Sequence, residues 1–199
     1  MPLHYHRTIP EVFAEACQEF SASAVFTCMG HTISFHELDE LSGKFAAYLQ
    51  QHTNLKPGDR IAIQLPNVLQ YPIAVFGAMR AGLIVVNTNP LYTAHEIKHQ
   101  LNDSGAKALV VLANIAKNAS TIIAETSVEQ VIVTELADVH PPLKRLLINT
   151  VVKYVKKLVP EFSFPTQIKF NDALHMAKQP WQAAAINPED VAVLQYTGG

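Results

Sequence analysis

The sequence is poor in cysteine, holds a single tryptophan and contains no long uninterrupted apolar run. Two cysteines, Cys17 and Cys28, in 199 residues exclude a disulfide framework and imply a reducing compartment with both thiols free and buried. The longest apolar stretch, Ile73 to Val86, is cut by Arg80 and Gly82, too short to cross a bilayer. Glu11, Glu15 and Glu19 interrupt the segment where an export signal needs a continuous apolar core. Lysines and arginines are spread among acids to a net charge of -2, which argues against a general nucleic-acid surface. The expected location is cytoplasmic, or peripheral on the inner face of the cytoplasmic membrane.

What the sequence does hold is hydrophobic residues, 49% of the chain, enough for a sizeable core. Thr8 can cap a helix running to about Phe20, and Ala24 to Ser34 has the pattern of a hairpin turning at Met29 and Gly30. Ser34 with Glu37, and Thr93 with Glu96, have the spacing of capping boxes and predict helices from Phe35 to about His52 and from Ala94 to about Asp103. Strands are predicted at Arg60 to Leu65, Leu83 to Val86, Ala108 to Leu112 and Gln130 to Val133, with helices at Tyr71 to Arg80 and Ile115 to Ala124. Strand and helix alternating at this spacing demand crossover connections, so the fold class is α/β with a mainly parallel sheet flanked by helices. Beyond residue 134 the alternation stops. The expected organisation is an α/β subdomain over 1–134, an excursion over 135–185 that is loop-like after Val159, and a last strand over 186–199 opening a second, incomplete subdomain.

Three stretches carry candidate chemistry. His95-Glu96-Ile97-Lys98-His99 matches the zinc-protease pattern His-Glu-x-x-His, which would make a zinc hydrolase. Glu96 is already claimed by the capping box, the helix is short and no third ligand follows, so two partly exposed histidines on an amphipathic helix are the better reading. Leu143 to Val159 holds Lys144, Arg145, Lys153, Lys156 and Lys157 and no acid. As one helix it gathers Arg145, Asn149, Lys153, Lys156 and Lys157 on one arc opposite an apolar arc. Such a helix suits either the core or an anionic membrane surface, and the second would make this a non-catalytic membrane-surface module. Finally, Val191 to Gly199 reads as a buried strand breaking into Tyr196, Thr197, Gly198 and Gly199. Glycines after a strand let backbone N–H groups approach phosphate oxygens, but the same four residues equally make an ordinary turn, and only their context separates the two.

Several stretches, in this order, give the chain a resemblance to a known family. They are Thr32-Ile-Ser-Phe-His-Glu-Leu38, Leu55-Lys-Pro-Gly-Asp-Arg60 with Leu65-Pro-Asn67, and Met79-Arg-Ala-Gly82 running to Asn89-Pro-Leu-Tyr-Thr93. His99-Gln-Leu-Asn-Asp-Ser-Gly-Ala106 and Leu194-Gln-Tyr-Thr-Gly-Gly199 complete the set. Together the chain resembles the N-terminal part of bacterial long-chain fatty acid–CoA ligases of the acyl-adenylate-forming superfamily, with Phe45 to Gln51 and Leu69 to Pro72 pointing to the long-chain branch. The resemblance implies the N-terminal subdomain of the adenylate-forming fold, ATP and Mg2+ as cofactors, and a long-chain fatty acid and CoA as substrates. It places Tyr196 at the entry of the ATP phosphate loop, gives Thr197 a hydroxyl for phosphate and assigns Gly198 and Gly199 to close backbone approach. Because the sequence stops inside that motif, no catalytic residue is expected within it. The fragment alone is expected to be inactive and to bind no cofactor, and its cut edge gives it a route to a homodimer.

Overall fold

Short polar residues start three of the helices. In the computed structural model, which describes residues 7–197, Thr8, Ser34 and Thr93 each accept a hydrogen bond from the backbone N–H three residues on, and Glu11, Glu37 and Glu96 reach back to the cap's own N–H. These boxes open α1 (Ile9–Glu19), α2 (Phe35–His52) and α4 (Ala94–Ser104). At the end of α4, Gly105 takes φ +61°, and a Cβ there would lie 2.5 Å from the guanidinium of Arg60. That guanidinium donates to the carbonyls of Ser104 and Gly105 at 2.8 and 2.9 Å, so it fastens the helix end to the first residue of a strand.

Six strands form one parallel sheet: β3 (Arg60–Gln64), β4 (Ile84–Asn87), β5 (Ala106–Leu112), β6 (Gln130–Thr134), β7 (Gln167–Lys169) and β8 (Val193–Gln195), ordered β7-β6-β5-β3-β4-β8. A separate antiparallel hairpin pairs β1 (Ala24–Cys28) with β2 (His31–Ser34). The fold class is therefore the α/β, mainly parallel arrangement that the alternation requires. Both faces are covered, as a parallel sheet demands. On one face α1, α2, α3 (Gln70–Arg80) and α7 (Phe170–Met176) build a core containing Phe45, Ile61, Ile63, Ile73 and Phe170. On the other, α4 and α5 (Ala116–Ile122) enclose Ala62, Ile97, Leu101, Leu109 and Val111. Each fully buried Leu or Ile contributes roughly 1.5–3 kcal/mol.

Two sequence expectations are corrected. Residues 167–176 are not loop: Ile168 joins the sheet through β7, and Phe170, Ala173 and Leu174 of α7 pack under α2. Three strand residues followed by seven helical ones are too short for a period to register. Nor is Leu143 to Val159 one helix. α6 spans Pro142–Thr150 and passes into a π-helical turn over Val151–Val155, closed by Lys156 N–H donating to Val151 O at 2.8 Å. Lys157 then takes φ +51° and ends it. The β-branched run Thr150-Val151-Val152 crowds the preceding turn and disfavours regular α geometry there.

A strap leads from α7 to the last strand. Gln50 and Gln51 of α2 bond it as a strand would: Gln50 Nε2 donates to Gln182 O at 2.7 Å and its Oε1 accepts from Gln182 N–H at 2.9 Å, while Gln51 Nε2 donates to Gln179 O at 2.7 Å. The strap lays Trp181 over the Arg80 guanidinium and delivers β8 to the outer side of β4. Of the thiols, Cys17 is buried but Cys28 is half-exposed, donating weakly to Asn67 O at 3.5 Å, because it lies on a hairpin outside the main sheet.

Candidate phosphate-binding site at the carboxyl end of the sheet

Ligands in open parallel sheets bind outside the carboxyl ends of the strands, where the connecting loops diverge. In this chain those ends are polar. β3 closes on Gln64, β4 on Asn87 and Thr88, and β8 on Gln195 followed by Tyr196 and Thr197. Parallel pairing brings Asn87 opposite Gln195, and their side chains bond: Asn87 Nδ2 donates to Gln195 Oε1 at 2.8 Å. The other side of the same amide, Asn87 Oδ1, accepts from the hydroxyl of Tyr71 on α3 at 2.9 Å. Its backbone carbonyl accepts from Gln100 of α4 at 2.8 Å. Asn87 thus ties one helix from each face of the sheet to the strand that carries the last residues.

Tyr196 is fixed separately. Its ring packs with Leu194 against the cluster containing Ala62, Val86 and Leu101, and its hydroxyl donates to Asp103 Oδ2 on α4 at 2.5 Å. Burial together with the neighbouring carboxylate pushes the phenol up to about 12, so it is held as a neutral donor. Thr197 follows and is exposed. Gly198 and Gly199 lie outside the described residues. At the ends of β3 and β4, Gln64 Nε2 donates to Asn89 O at 3.3 Å, whereas Gln64 Oε1 and Gln100 Oε1 are buried with no hydrogen-bond partner. The donor chemistry of the described end suits phosphate oxygens: the Thr197 hydroxyl is exposed just beyond the last strand. A magnesium ion finds no ready ligand set, since among the described residues no group of three or more His, Cys, Asp or Glu is arranged to hold a metal.

The zinc reading of α4 fails on the same ground. His95 and His99 are exposed, and Glu96 is occupied, accepting from Thr93 N–H at 2.8 Å and from its hydroxyl at 2.7 Å. The Thr93 bonds hold the Glu96 carboxyl below the usual range. Asn87, Gln195 and Asp103, which hold the site, were not singled out by sequence reasoning. The one local signal is the switch from apolar Ile84-Val85-Val86 to polar Asn87-Thr88-Asn89.

The basic segment lies elsewhere. Lys144 Nζ donates to Met29 O at 2.7 Å and Arg145 is half-buried on α6. Lys153, Lys156 and Lys157 are exposed, the first in the π-helical turn and the other two just after it. The expected facing is altered. Asn149, placed with the cations, points inward, accepting from Ala137 N–H at 3.0 Å and donating to Asp138 Oδ1 at 3.2 Å. Leu143, Leu146 and Leu147 are 85%, 67% and 65% exposed, so α6 does not pack its leucines into the core.

Comparisons with known proteins agree with the fold. The family model described as AMP-binding enzyme matches residues 13–199. The chain is 45% identical over 195 residues to a long-chain-fatty-acid–CoA ligase of Escherichia coli O157:H7, covering 98% of this chain and 35% of that protein. It is 46% identical over 195 residues to the protein of the same name from Haemophilus influenzae, with the same coverage. The chain therefore spans about a third of the length of the curated relatives it matches. Among solved structures, a long-chain-fatty-acid-CoA ligase from Archaeoglobus fulgidus superposes with TM-score 0.73 at 21% identity, over 100% of this chain and 36% of that one. An anthranilate CoA ligase in complex with anthranoyl-AMP gives 0.76 at 17% identity, over 100% and 33%. These two establish the fold alone, a mainly parallel six-stranded sheet flanked by helices as in the N-terminal subdomain of the adenylate-forming fold. By the extent of the family match and the identity to its relatives, the chain belongs to the AMP-binding enzyme family.

Proposed function

We propose that this chain is the N-terminal part of a long-chain fatty acid–CoA ligase. In the whole protein a fatty acid carboxylate attacks the α-phosphate of ATP, releasing pyrophosphate and leaving an acyl-adenylate. The CoA thiol then attacks the acyl carbon and AMP departs. Mg2+ would accompany ATP in the whole protein. Residues 186–199 carry the edge strand β8 and lead into the phosphate loop, with Tyr196 setting its entry, Thr197 offering its hydroxyl and Gly198 and Gly199 their backbone N–H groups. The observation carrying this reading is that β8 delivers Tyr196 and Thr197 to the carboxyl end of the sheet, held there by Asn87 and Asp103. The 199 residues alone catalyse nothing and bind no cofactor usefully.

The test is activity of the longer protein encoded by the reading frame that contains this chain. It should form AMP from ATP, CoA and a long-chain fatty acid, and Thr197→Ala should lower the rate by about tenfold or more. A longer protein without acyl-CoA formation would refute the reading, as would pyrophosphate release by the 199 residues alone.

A second reading concerns the surface. No helix among the described residues is long and apolar enough to cross a membrane. The exposed leucines of α6, beside cations unrelieved by any acid from 143 to 159, support a peripheral contact with anionic lipid on the cytoplasmic side. Anionic vesicles should sediment the chain. The outer edge of β8, which among the described residues pairs only with β4, offers a second copy a place to dimerise, and sedimentation equilibrium should then show a dimer.

A further inference from the structure

The hairpin tip beside α6 carries a residue that its backbone does not favour. Met29 and Gly30 form the two-residue loop between β1 and β2, with Cys28 paired to His31, and both have positive φ, +50° and +68°. Such a turn is cheapest with Asn or Asp at its first position, since an unbranched apolar side chain gains nothing to offset left-handed backbone. Met29 nevertheless occupies it, 44% exposed as a residue. The tip is joined to the basic helix. Lys144 Nζ donates to Met29 O at 2.7 Å, and His140, just before the prolines that open α6, bonds the carbonyl of Cys28 at 3.2 Å. A Cβ on Gly30 would stand 3.3 Å from Lys144 Nζ, so the hairpin and the helix N-terminus are in contact.

We propose that Met29 is a second lipid-inserting element, and that the hairpin tip and the leucine face of α6 engage an anionic bilayer as one unit. The inference rests on the peripheral reading of α6. It adds that a flexible, polarisable side chain is held in a strained turn because it enters the acyl boundary there. The occupant is an anionic bilayer because Lys144, Arg145, Lys153, Lys156 and Lys157 are accompanied by no acid over 143–159, which complements lipid phosphate. Lys144, with its ammonium on the Met29 carbonyl, couples the two insertions.

The experiment measures partition of the 199-residue chain and its variants onto vesicles of phosphatidylglycerol and phosphatidylethanolamine, with melting temperature recorded for each. Met29→Asn should weaken partition about five- to tenfold while raising Tm by about 2–4 °C, because Asn accepts left-handed backbone. Met29→Leu should keep the partition, and Lys153→Gln, Lys156→Gln and Lys157→Gln together should weaken it about a hundredfold. Binding abolished by the triple variant but unmoved by Met29→Asn overturns the role of Met29 and leaves the peripheral reading standing. If the unaltered chain ignores anionic vesicles, both fall, and the leucine face is covered by the rest of a longer chain or by a second copy.

Discussion

Removing Asp39 should destabilise this protein more than removing its buried partner. Arg80, at the end of α3, is 3% exposed and ion-paired with Asp39 of α2, which is 46% exposed. Its Nη1 also donates to Asp39 O at 2.8 Å and Ser42 Oγ at 2.9 Å, and its guanidinium lies 4.7 Å from the Phe13 ring and 4.9 Å from the Trp181 ring. One cation therefore joins α1, α2, α3 and the strap. Asp39→Ala leaves it buried without its counter-charge, a change that costs about 3–4 kcal/mol. Arg80→Met removes charge and desolvation cost together, and Asp39 is exposed enough to be hydrated. What remains is the loss of hydrogen bonds and ring contacts, about 2 kcal/mol. The double variant then holds no buried charge and should lie near Arg80→Met, a coupling of about 3 kcal/mol. Urea unfolding followed by Trp181 fluorescence reads this directly, since Trp181 is the only tryptophan and faces the guanidinium. In melting temperature, Asp39→Ala should fall by roughly 10 °C. A double variant as unstable as the two single losses added, or Arg80→Met costing more than Asp39→Ala, would refute the reasoning.

Gly77→Ala should destabilise by about 2–3 kcal/mol in urea titration, although Ala is the better helix former. The added Cβ would stand 2.8 Å from Ser42 O and 2.9 Å from Phe45 Cδ1, so α2 and α3 would have to part. Ellman's reagent should find one fast thiol, the half-exposed Cys28. Cys17, pushed up to about 11 chiefly by burial with help from Asp39, is ionised only about one part in a thousand at pH 8 and should react only on unfolding; two equally fast thiols would contradict this. The His140 imidazole is pushed below its ordinary 6.5 by burial, with His31 and Lys144 adding repulsion. The unfolded chain therefore binds the proton first, and stability should decline as pH falls from about 6.5 toward the lower folded value. His140→Asn should flatten that part of a pH–stability profile.

The elements that could be read from the sequence are those whose cause is local. A capping box lies within four residues, so Ser34 with Glu37 and Thr93 with Glu96 announce α2 and α4 without knowledge of the fold. Apolar runs between turn signals gave β3, β4, β5 and β6 in the same way. β7 and α7 escaped because their definition is tertiary: Ile168 becomes a strand residue by lying beside Ile132, and Phe170 is buried by stacking on Phe45 at 5.2 Å. The same limit explains the orientation of α6. Helical arcs show which residues share a face, not which face meets the protein, and that choice is made by Asn149 reaching Ala137 and Asp138 and by Lys144 reaching the hairpin.

The site divides along the same line. The residues that would touch phosphate are contiguous, so a strand followed by Tyr196, Thr197 and two glycines is visible as a string. The residues that hold them are not: Asn87 and Gln195 are 108 positions apart, Asp103 and Tyr196 93. Their meeting depends on β4 and β8 being neighbours in register, which depends in turn on the Gln50 and Gln51 bonds to the strap and on Trp181 seated over Arg80. A charged pair at the amino-terminal region of the sheet's helical cover thereby contributes to where a hydroxyl stands at its carboxyl end. Asp39→Ala should accordingly raise amide exchange across Val193 to Tyr196 as well as lower global stability, whereas Asn87→Ala should raise exchange in that strand while leaving the Arg80 cluster and its Trp181 fluorescence unchanged. Equal exchange in the strand for both variants and the unaltered chain would show that β8 is held by its backbone ladder alone, and that the polar ends of the strands do not position the loop.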